Sequence, residues 1–179
     1  MNARPEPKLY FIALLPDQAI QDEVTAFKQT ARDRFGSGHA LRSPPHITLI
    51  PPFRSQQADF TLLQTFARAE PPFSVRLRNF DRFGSRVIFV NVEPEPALSA
   101  CQARLARFCH DHFSIRPDSR PFHPHLTVAF RDLQRAVFAD AWAYFSAQSY
   151  ERQFLANAVT LLKHTAQGWA IEQTFPFGG

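Results

Sequence analysis

The sequence predicts an α+β fold that is internally duplicated and bilobal, with two mainly antiparallel sheets and outer helices around a central cleft. A five-residue motif occurs twice, as PHITL at 45–49 and as PHLTV at 124–128. Predicted strands and helices also recur in the same order in both halves, at an offset of 78 to 79 residues. A repeat of this kind indicates internal duplication. We therefore expect one domain over 1–179, with pseudo-symmetric lobes built from about 8–83 and 86–177.

Each motif alternates polar and apolar residues, which is typical of a strand whose side chains point alternately to opposite faces. His46 and Thr48 then share one face of the first motif strand, and His125 and Thr127 share one face of the second. The aliphatic residues of each motif point the other way, into a core. Two such strands are expected to display two imidazoles and two hydroxyls towards one cleft.

The remaining elements of the first half follow from apolar periodicity, caps and prolines. Asp17 can cap a helix whose apolar residues step by three and four. Pro51 and Pro52 are expected to end the motif strand. The predicted elements are a strand over 8–15, a helix ending at 35, a loop over 39–45, the motif strand, a helix over about 58–69 and a strand over 73–80.

The second half repeats this order with one additional strand. A hairpin is predicted at Gly84 and Ser85, because glycine suits a tight turn between two strand patterns. The predicted elements are a strand over 87–92, a helix over 96–113, the second motif strand, a helix over 132–147, and strands over 152–163 and 169–177 joined by a turn near 167–168.

Composition favours a soluble, cytoplasmic protein with an anionic substrate. The net charge is +4, and arginine supplies most of the positive charge, since lysine occurs only at positions 8, 28 and 163. The sequence contains no run of about 18 apolar residues, so it predicts no membrane span. Cys101 and Cys109 lie about two turns apart in one predicted helix, too far for a disulfide, which favours a reducing compartment. We expect a monomer with no membrane association and no obligate protein partner.

The paired residue types suit acid–base chemistry at phosphorus. A neutral imidazole accepts a proton and an imidazolium donates one, so two histidines across a cleft can divide the two transfers. Two threonine hydroxyls can donate hydrogen bonds to phosphate oxygens. The sequence offers no clustered carboxylates or cysteines with the spacing of metal ligands. No metal and no cofactor are therefore predicted.

The paired motifs PHITL and PHLTV, in their duplicated setting, resemble the 2H phosphoesterase superfamily. The resemblance is closer to its 2'-5' RNA ligase-like branch, which includes bacterial RNA cyclic phosphodiesterases, and it spans about 8–177. It implies metal-free hydrolysis of 2',3'-cyclic phosphates or 2'-5' phosphodiesters, with RNA or a nucleotide as the partner. By position, the resemblance implies that His46 is the proton donor, His125 the proton acceptor, and Thr48 and Thr127 the phosphate-binding residues.

The chain departs from this family pattern at two places. Many members follow the second motif with an arginine that falls at position 130, where this chain has Phe130 followed by Arg131. The first motif continues into 50–53 (IPPF), where members that act on RNA tend to have a Phe-Leu-Gly type ending. Three arginines flank the second motif and are candidates for contacting the rest of a substrate, namely Arg116, Arg120 and Arg131.

Two other functions fit the same motifs. The first is a non-catalytic module that binds RNA or nucleotides through its basic rim. The second is a 2'-5' RNA ligase, which runs the same chemistry in reverse. His123 and His125 are two residues apart and would need a third ligand to hold a metal. The remaining histidines, at 39, 110, 112 and 164, lack a paired setting and are expected to be ordinary surface groups.

Overall fold

The computed structural model describes residues 6–178, which form eight strands, four α-helices and one short 3-10 helix. The strands are β1 (Lys8–Leu14), β2 (Ile47–Ser55), β3 (Phe73–Phe83), β4 (Val87–Val92), β5 (His125–Ala129), β6 (Glu151–Ala156), β7 (Ala158–Thr165) and β8 (Gly168–Pro176). The helices are α1 (Gln18–Phe35), α2 (Leu63–Ala69), α3 (Pro96–Phe113) and α4 (Arg135–Ser146), and the 3-10 helix covers His39–Arg42.

The strands form two four-stranded antiparallel sheets, in the orders β2-β1-β7-β8 and β5-β4-β3-β6. The two motif strands, β2 and β5, therefore occupy matching positions, each at the edge of its own sheet. The strand before each motif strand, β1 or β4, is its inner neighbour in the sheet. This arrangement confirms the predicted α+β, bilobal fold with its duplicated order.

Each sheet takes strands from both halves of the sequence. The first sheet combines β1 and β2 with β7 and β8, and the second combines β3 with β4, β5 and β6. The chain thus crosses from one sheet to the other after α2 and again between β6 and β7. Because the halves exchange strands in this way, the ranges 8–83 and 86–177 do not each form a sheet of their own.

The strand predicted over 152–163 is two strands, so that prediction is wrong. From Gln153 onward β6 alternates exposed and buried residues at the edge of the second sheet, whereas β7 is buried from Val159 to Leu162 between β1 and β8. Asn157 separates them, and its carbonyl accepts a hydrogen bond from the backbone N–H of Phe177 at 2.8 Å. The change from alternating to continuous apolar residues marks the point where the chain changes sheet.

Other boundaries also differ from the prediction. β2 continues through Pro51 and Pro52 to Ser55, because an edge strand tolerates residues that cannot donate to a ladder. The pairing of β1 with β2 is irregular there, with a register shift between Tyr10 and Ile12. α2 and α4 begin several residues later than predicted, and β3 extends three residues further, to Phe83.

The helices pack apolar faces into a core shared by both halves. α1 begins at the predicted cap, where the carboxylate of Asp17 accepts a hydrogen bond from the N–H of Ile20 at 3.1 Å. It ends at Gly36, whose φ of 71° is in the left-handed region that glycine adopts without strain. Among the helices within residues 6–178, none is both long and apolar enough to cross a membrane.

Candidate active site

The two motif strands alternate as predicted. Ile47 and Leu49 of β2, and Leu126 and Val128 of β5, are at most 1% exposed and belong to the core. The histidine and threonine of each motif are only partly buried, on the opposite face. The two strands also approach each other, since β2 contacts β5 across the space between the sheets.

Both motif histidines are held in the same way. Nδ1 of His46 lies 2.7 Å from the carbonyl oxygen of Pro44, and Nδ1 of His125 lies 2.7 Å from the carbonyl oxygen of His123. Because a carbonyl only accepts, each Nδ1 carries the proton of its hydrogen bond. This fixes the tautomer of the neutral ring and leaves Nε2 of each histidine available for proton exchange.

Aromatic rings pack against both imidazoles from equivalent places in the fold. Phe11 of β1 lies 4.7 Å from His46 between ring centroids, and Phe89 of β4 lies 5.0 Å from His125. Phe83 adds a second ring at 5.0 Å from His125. These contacts reduce the rotamer freedom of the imidazoles and exclude water from one side of each ring.

A cleft of about 420 Å³ opens on the face that carries His46, Thr48 and Thr127. Five of its lining residues carry basic side chains, and none of the lining residues that the structure describes is an aspartate or glutamate. The lining residues are Leu9, Phe11, His39, Ala40, Arg42, Ser43, His46, Thr48, Pro52, Thr127, Phe130, Arg131, His164 and Trp169. A surface of this kind attracts a negatively charged ligand.

His125 lies on the same face of β5 as Thr127, two residues before it. It is close enough to His46 that its positive charge lowers the pKa of that imidazole. Burial is the larger cause, and together with the positive charge of Lys28 it lowers the pKa of His46 to about 4, against the effect of the Pro44 hydrogen bond. Burial also lowers the pKa of His125, with a smaller contribution from the charge of His123.

Arg131 also lines the cleft, although strand alternation in the sequence does not predict this. β5 ends at Ala129, so Arg131 lies beyond the strand and strict alternation no longer applies. Its φ of 60° is in the left-handed region, which is uncommon for a residue with a Cβ. Phe130 and Arg131 consequently both line the cleft. The one-residue shift from the family pattern therefore keeps an arginine there.

Asp132 joins the two sides of the cleft. Its carboxylate accepts hydrogen bonds from the hydroxyl of Ser37 at 2.8 Å and from the N–H groups of Gly38 at 3.0 Å and His39 at 2.8 Å. The segment after α1 is thereby attached to the segment after β5. The rings of His39 and Phe130 then pack in a T-shaped arrangement with their centroids 5.1 Å apart.

Sequence reasoning missed several residues of the cleft. His39 and His164, expected to be ordinary surface groups, both line it, as do Arg42 and Trp169. His39 and Arg42 come from the 3-10 helix just before the first motif, whereas His164 and Trp169 come from the β7–β8 hairpin, far from both motifs in sequence. The crossing of β7 and β8 into the first sheet brings the hairpin residues there, and no local pattern predicts that crossing.

Lys28 was also missed, although a signal for it exists. It is 2% exposed, next to the segment that holds His46. Lys28 lies four residues after Val24 and three before Ala31, so it interrupts the buried stripe of α1. A charged residue at an apolar position of an otherwise regular stripe is the kind of inconsistency that marks a functional or strained site.

Arg116 and Arg120 do not line the cleft. They line a separate groove of about 480 Å³ together with Arg54, and this groove meets the cleft at Pro52. The guanidinium of Arg120 is paired with the carboxylate of Asp118 at 2.7 Å. His123 and His125 have ring centroids 6.3 Å apart, and within residues 6–178 no three potential ligands gather into a metal site.

Comparison with known proteins places this architecture in a family. The family model of the 2'-5' RNA ligase superfamily matches residues 16–168, which is most of the chain. A protein of Geobacillus kaustophilus that carries the provisional name phosphoesterase is 30% identical over 177 residues, which cover 95% of this chain and 96% of the relative. A second such relative, from Geobacillus sp. strain WCH70, is 31% identical over 179 residues.

Solved structures share the fold at lower identity. The crystal structure of E. coli LigT complexed with 3'-AMP superposes with a TM-score of 0.73 at 19% identity, covering 97% of this chain and all of LigT. A protein of Thermus thermophilus superposes with a TM-score of 0.65 at 19% identity, covering 96% of this chain and 98% of its own. The chain belongs to the 2'-5' RNA ligase superfamily of 2H phosphoesterases.

Proposed function

We propose that this protein is a metal-independent phosphodiesterase that hydrolyses 2',3'-cyclic phosphate or 2'-5' phosphodiester substrates, as RNA ends or as nucleotides. The observation that carries the proposal is that His46, Thr48 and Thr127 line one cleft with no aspartate or glutamate among its described lining residues, while His125 lies two residues before Thr127 on the same face of β5. Family membership supports the general reaction. The 3'-AMP of the LigT crystal structure supports a nucleotide as substrate.

In the proposed reaction, His125 is the proton acceptor and His46 the proton donor. Nε2 of His125 removes a proton from water as the water oxygen forms a bond to phosphorus. The bond between phosphorus and one ribose oxygen breaks, and His46 transfers its proton to that oxygen. Water has then been added across one P–O bond, and the proton gained by His125 returns to solvent or to His46 for the next turnover.

Thr48 and Thr127 are proposed to bind the phosphate. Each threonine lies two residues after its histidine on the same strand face, about 7 Å along the strand. Their hydroxyls can donate hydrogen bonds to the two non-bridging oxygens, whose negative charge grows in the transition state. Arg42 and Arg131 at the cleft add positive charge for the same group.

The low pKa of His46 fits a proton donor that becomes protonated when its substrate binds. Without a bound anion, burial and two neighbouring cations favour the neutral imidazole. A phosphodiester in the cleft brings a negative charge close to the ring, and an opposite charge raises the pKa of a histidine. His46 is therefore protonated most readily when substrate is present. We further propose that the protein acts as a cytoplasmic monomer, as a single domain and without a cofactor.

The experiment is hydrolysis of adenosine and cytidine 2',3'-cyclic phosphates and of short 2'-5'-linked oligonucleotides by purified protein in EDTA. We expect turnover of one of these classes and a single phosphomonoester isomer from cyclic substrates. Folded protein that hydrolyses none of them contradicts the proposal. If the inactive protein still binds RNA in a salt-sensitive manner, with unchanged affinity after both histidines are replaced, the non-catalytic module is correct. Joining of RNA ends without hydrolysis identifies the ligase.

A further inference from the structure

A second cavity of about 310 Å³ lies behind the segment that carries His46. Arg42, Ser43 and Trp169 line both this cavity and the active-site cleft, so the two spaces are neighbours on either side of one short segment. The other lining residues come from α1, from the 3-10 helix and the segment after it, and from the β7–β8 hairpin, and they include Thr25, Lys28, Pro44 and Gly168.

The cavity is a fixed part of the fold. Gly168, at the β7–β8 turn, has a φ of 131°, and a Cβ added there would overlap the carbonyl oxygen of Arg42. The guanidinium of Arg42 in turn donates a hydrogen bond to the carbonyl oxygen of Ala166 at 3.3 Å. The hairpin and the 3-10 helix are therefore in direct backbone contact, and their contact forms one wall of the cavity.

Lys28 has an unusual environment on the opposite wall. Its side chain is buried, and its ammonium donates a hydrogen bond to the carbonyl oxygen of Ser43 at 3.0 Å. Among the ion pairs of residues 6–178, none involves Lys28, and no acidic residue lines the cavity. Lysine is almost never fully buried without a negative partner, because a desolvated charge is costly. The burial lowers the pKa of Lys28 to about 7.

We propose that this cavity is a subsite for a second phosphate group of the substrate, a terminal phosphate monoester bound by Lys28 and Arg42. This inference rests on the proposed function, because it places the second phosphate on the same molecule as the phosphodiester in the cleft. The missing negative partner of Lys28 is then supplied by the ligand. The hydroxyl of Thr25 on the cavity wall is suited to one of the remaining phosphate oxygens.

The substrate class that follows is a nucleotide or short oligonucleotide with a phosphodiester at one end and a phosphate monoester at the other. Trp169 lies between the two spaces, where it can contact the sugar or base that joins the two phosphates. A dianionic monoester also favours the protonated form of Lys28, so binding of the ligand and charging of the lysine reinforce each other.

Binding of product-like ligands tests the subsite independently of catalysis. Adenosine 3'-phosphate and adenosine 3',5'-bisphosphate are titrated calorimetrically into the wild type, Lys28→Met and Lys163→Met. Lys163 of β7 provides the matched control, because it belongs to the β7–β8 hairpin, does not line the cavity and is paired with Glu172 at 3.3 Å. We expect the bisphosphate to bind about tenfold more tightly than the monophosphate, through charge-assisted hydrogen bonds. Lys28→Met should abolish this advantage and Lys163→Met should retain it.

Equal binding of the two ligands by the wild type overturns the proposal, and so does an advantage that survives in Lys28→Met. Lys28→Gln, also neutral but able to hydrogen-bond Ser43, is measured in parallel, and circular dichroism verifies that each variant is folded. Turnover of adenosine 2',3'-cyclic phosphate with and without a 5'-phosphate separates the two proposals. Hydrolysis of both forms with equal kcat/KM contradicts the subsite alone, whereas hydrolysis of neither form by protein that shows the bisphosphate advantage contradicts the proposed reaction alone.

Discussion

The two motif-bearing halves match in geometry and differ in electrostatics. In each half, the histidine Nδ1 is 2.7 Å from the carbonyl oxygen two residues earlier, and a phenylalanine of the inner neighbouring strand packs against the ring. The environment beyond these contacts is different. Lys28 of α1 is buried beside the first histidine, whereas the corresponding turn of α3 carries the apolar residues Leu105 and Ala106.

The difference shows how a duplicated fold can acquire two unlike groups from one motif. The positive charge of Lys28 is among the causes that lower the pKa of His46, while no lysine contributes to the lowered pKa of His125. The two imidazoles are nevertheless held by the same kind of backbone hydrogen bond. The neighbours of the two imidazoles differ, so the two lowered pKa values do not have the same set of causes.

The largest expected effect comes from removing either imidazole. His46→Ala and His125→Ala should each lower kcat for hydrolysis of a 2',3'-cyclic nucleotide by about 10²–10⁴-fold, because each truncates a proton-transfer group. The double variant should lose little more than the worse single variant, since the two groups act in one step. Replacement of His110 or His112, which lie on α3, serves as the control. If either motif variant retains normal turnover, the two halves do not share one reaction.

The pH profile tests whether the pKa values of the two histidines are lowered in solution. Catalysis needs one proton on the pair, and the pKa of each histidine is lowered below 6.5. Above both pKa values most molecules carry no proton on the pair, so kcat/KM should peak below pH 6.5 and fall about tenfold per pH unit on the alkaline side. Initial rates over pH 4 to 9 measure this. A plateau that extends to pH 8 would rule out lowered values for both groups.

Thermal unfolding at several pH values measures how much the burial of Lys28 destabilises the folded protein. Burial lowers the pKa of Lys28 from its ordinary 10.5 to about 7, so between these values the unfolded chain binds more protons than the folded one. Wild-type stability should therefore rise as pH increases from 7 to about 9, above which the raised pKa values of the buried Cys101 and Cys109 thiols oppose the effect of Lys28. Lys28→Met should be more stable than the wild type at pH 7 by roughly 1–3 kcal/mol, a range that allows for the lost hydrogen bond to Ser43. Its stability should not show the rise with pH that Lys28 causes in the wild type.

The control for that measurement is Lys163→Met, which removes a more exposed lysine of β7 and should leave the pH dependence in place. A Lys28→Met protein that is less stable than wild type at pH 7 would contradict the interpretation of Lys28 as an uncompensated buried cation. In that case the hydrogen bond to Ser43 would outweigh the desolvation.

A further effect on stability is expected where the two halves are joined. Asp132→Ala removes the acceptor of three hydrogen bonds from 37–39 and should lower the free energy of unfolding by about 1–3 kcal/mol, measured by urea denaturation. Asp132→Asn retains an oxygen acceptor and should lose less. Because His39 lines the cleft, loss of these hydrogen bonds should also raise KM. If Asp132→Ala leaves both stability and KM unchanged, the contact does not hold the cleft wall.

Local signals predicted most of the elements and the motif residues. Apolar alternation placed the buried residues of β2 and β5, Asp17 marked the start of α1, and Cys101 and Cys109 are unpaired buried thiols on α3. These features depend on a residue and its near neighbours in sequence. The prediction that Pro51 and Pro52 end the motif strand is wrong. The effect of a proline depends on whether its strand lies at an edge, which is a property of the assembled sheet.

Long-range placement could not be predicted in the same way. The division of 152–163 into β6 and β7, and the arrival of His164 and Trp169 at the cleft, follow from the exchange of strands between the two sheets. The left-handed turn at Arg131 is a backbone conformation that the residue type disfavours. Each of these features is decided by tertiary packing, which overrides the local preferences that sequence reasoning uses.

The most direct measurement is a crystal structure of the protein with a nucleoside 2',3'-cyclic vanadate, an analogue of the pentacoordinate transition state. We predict one vanadium atom with Nε2 of His46 and Nε2 of His125 within hydrogen-bonding distance of oxygens on opposite sides of it, and with both threonine hydroxyls on its equatorial oxygens. Vanadate that contacts only one of the two imidazoles, or that binds in a different cavity, would contradict the account.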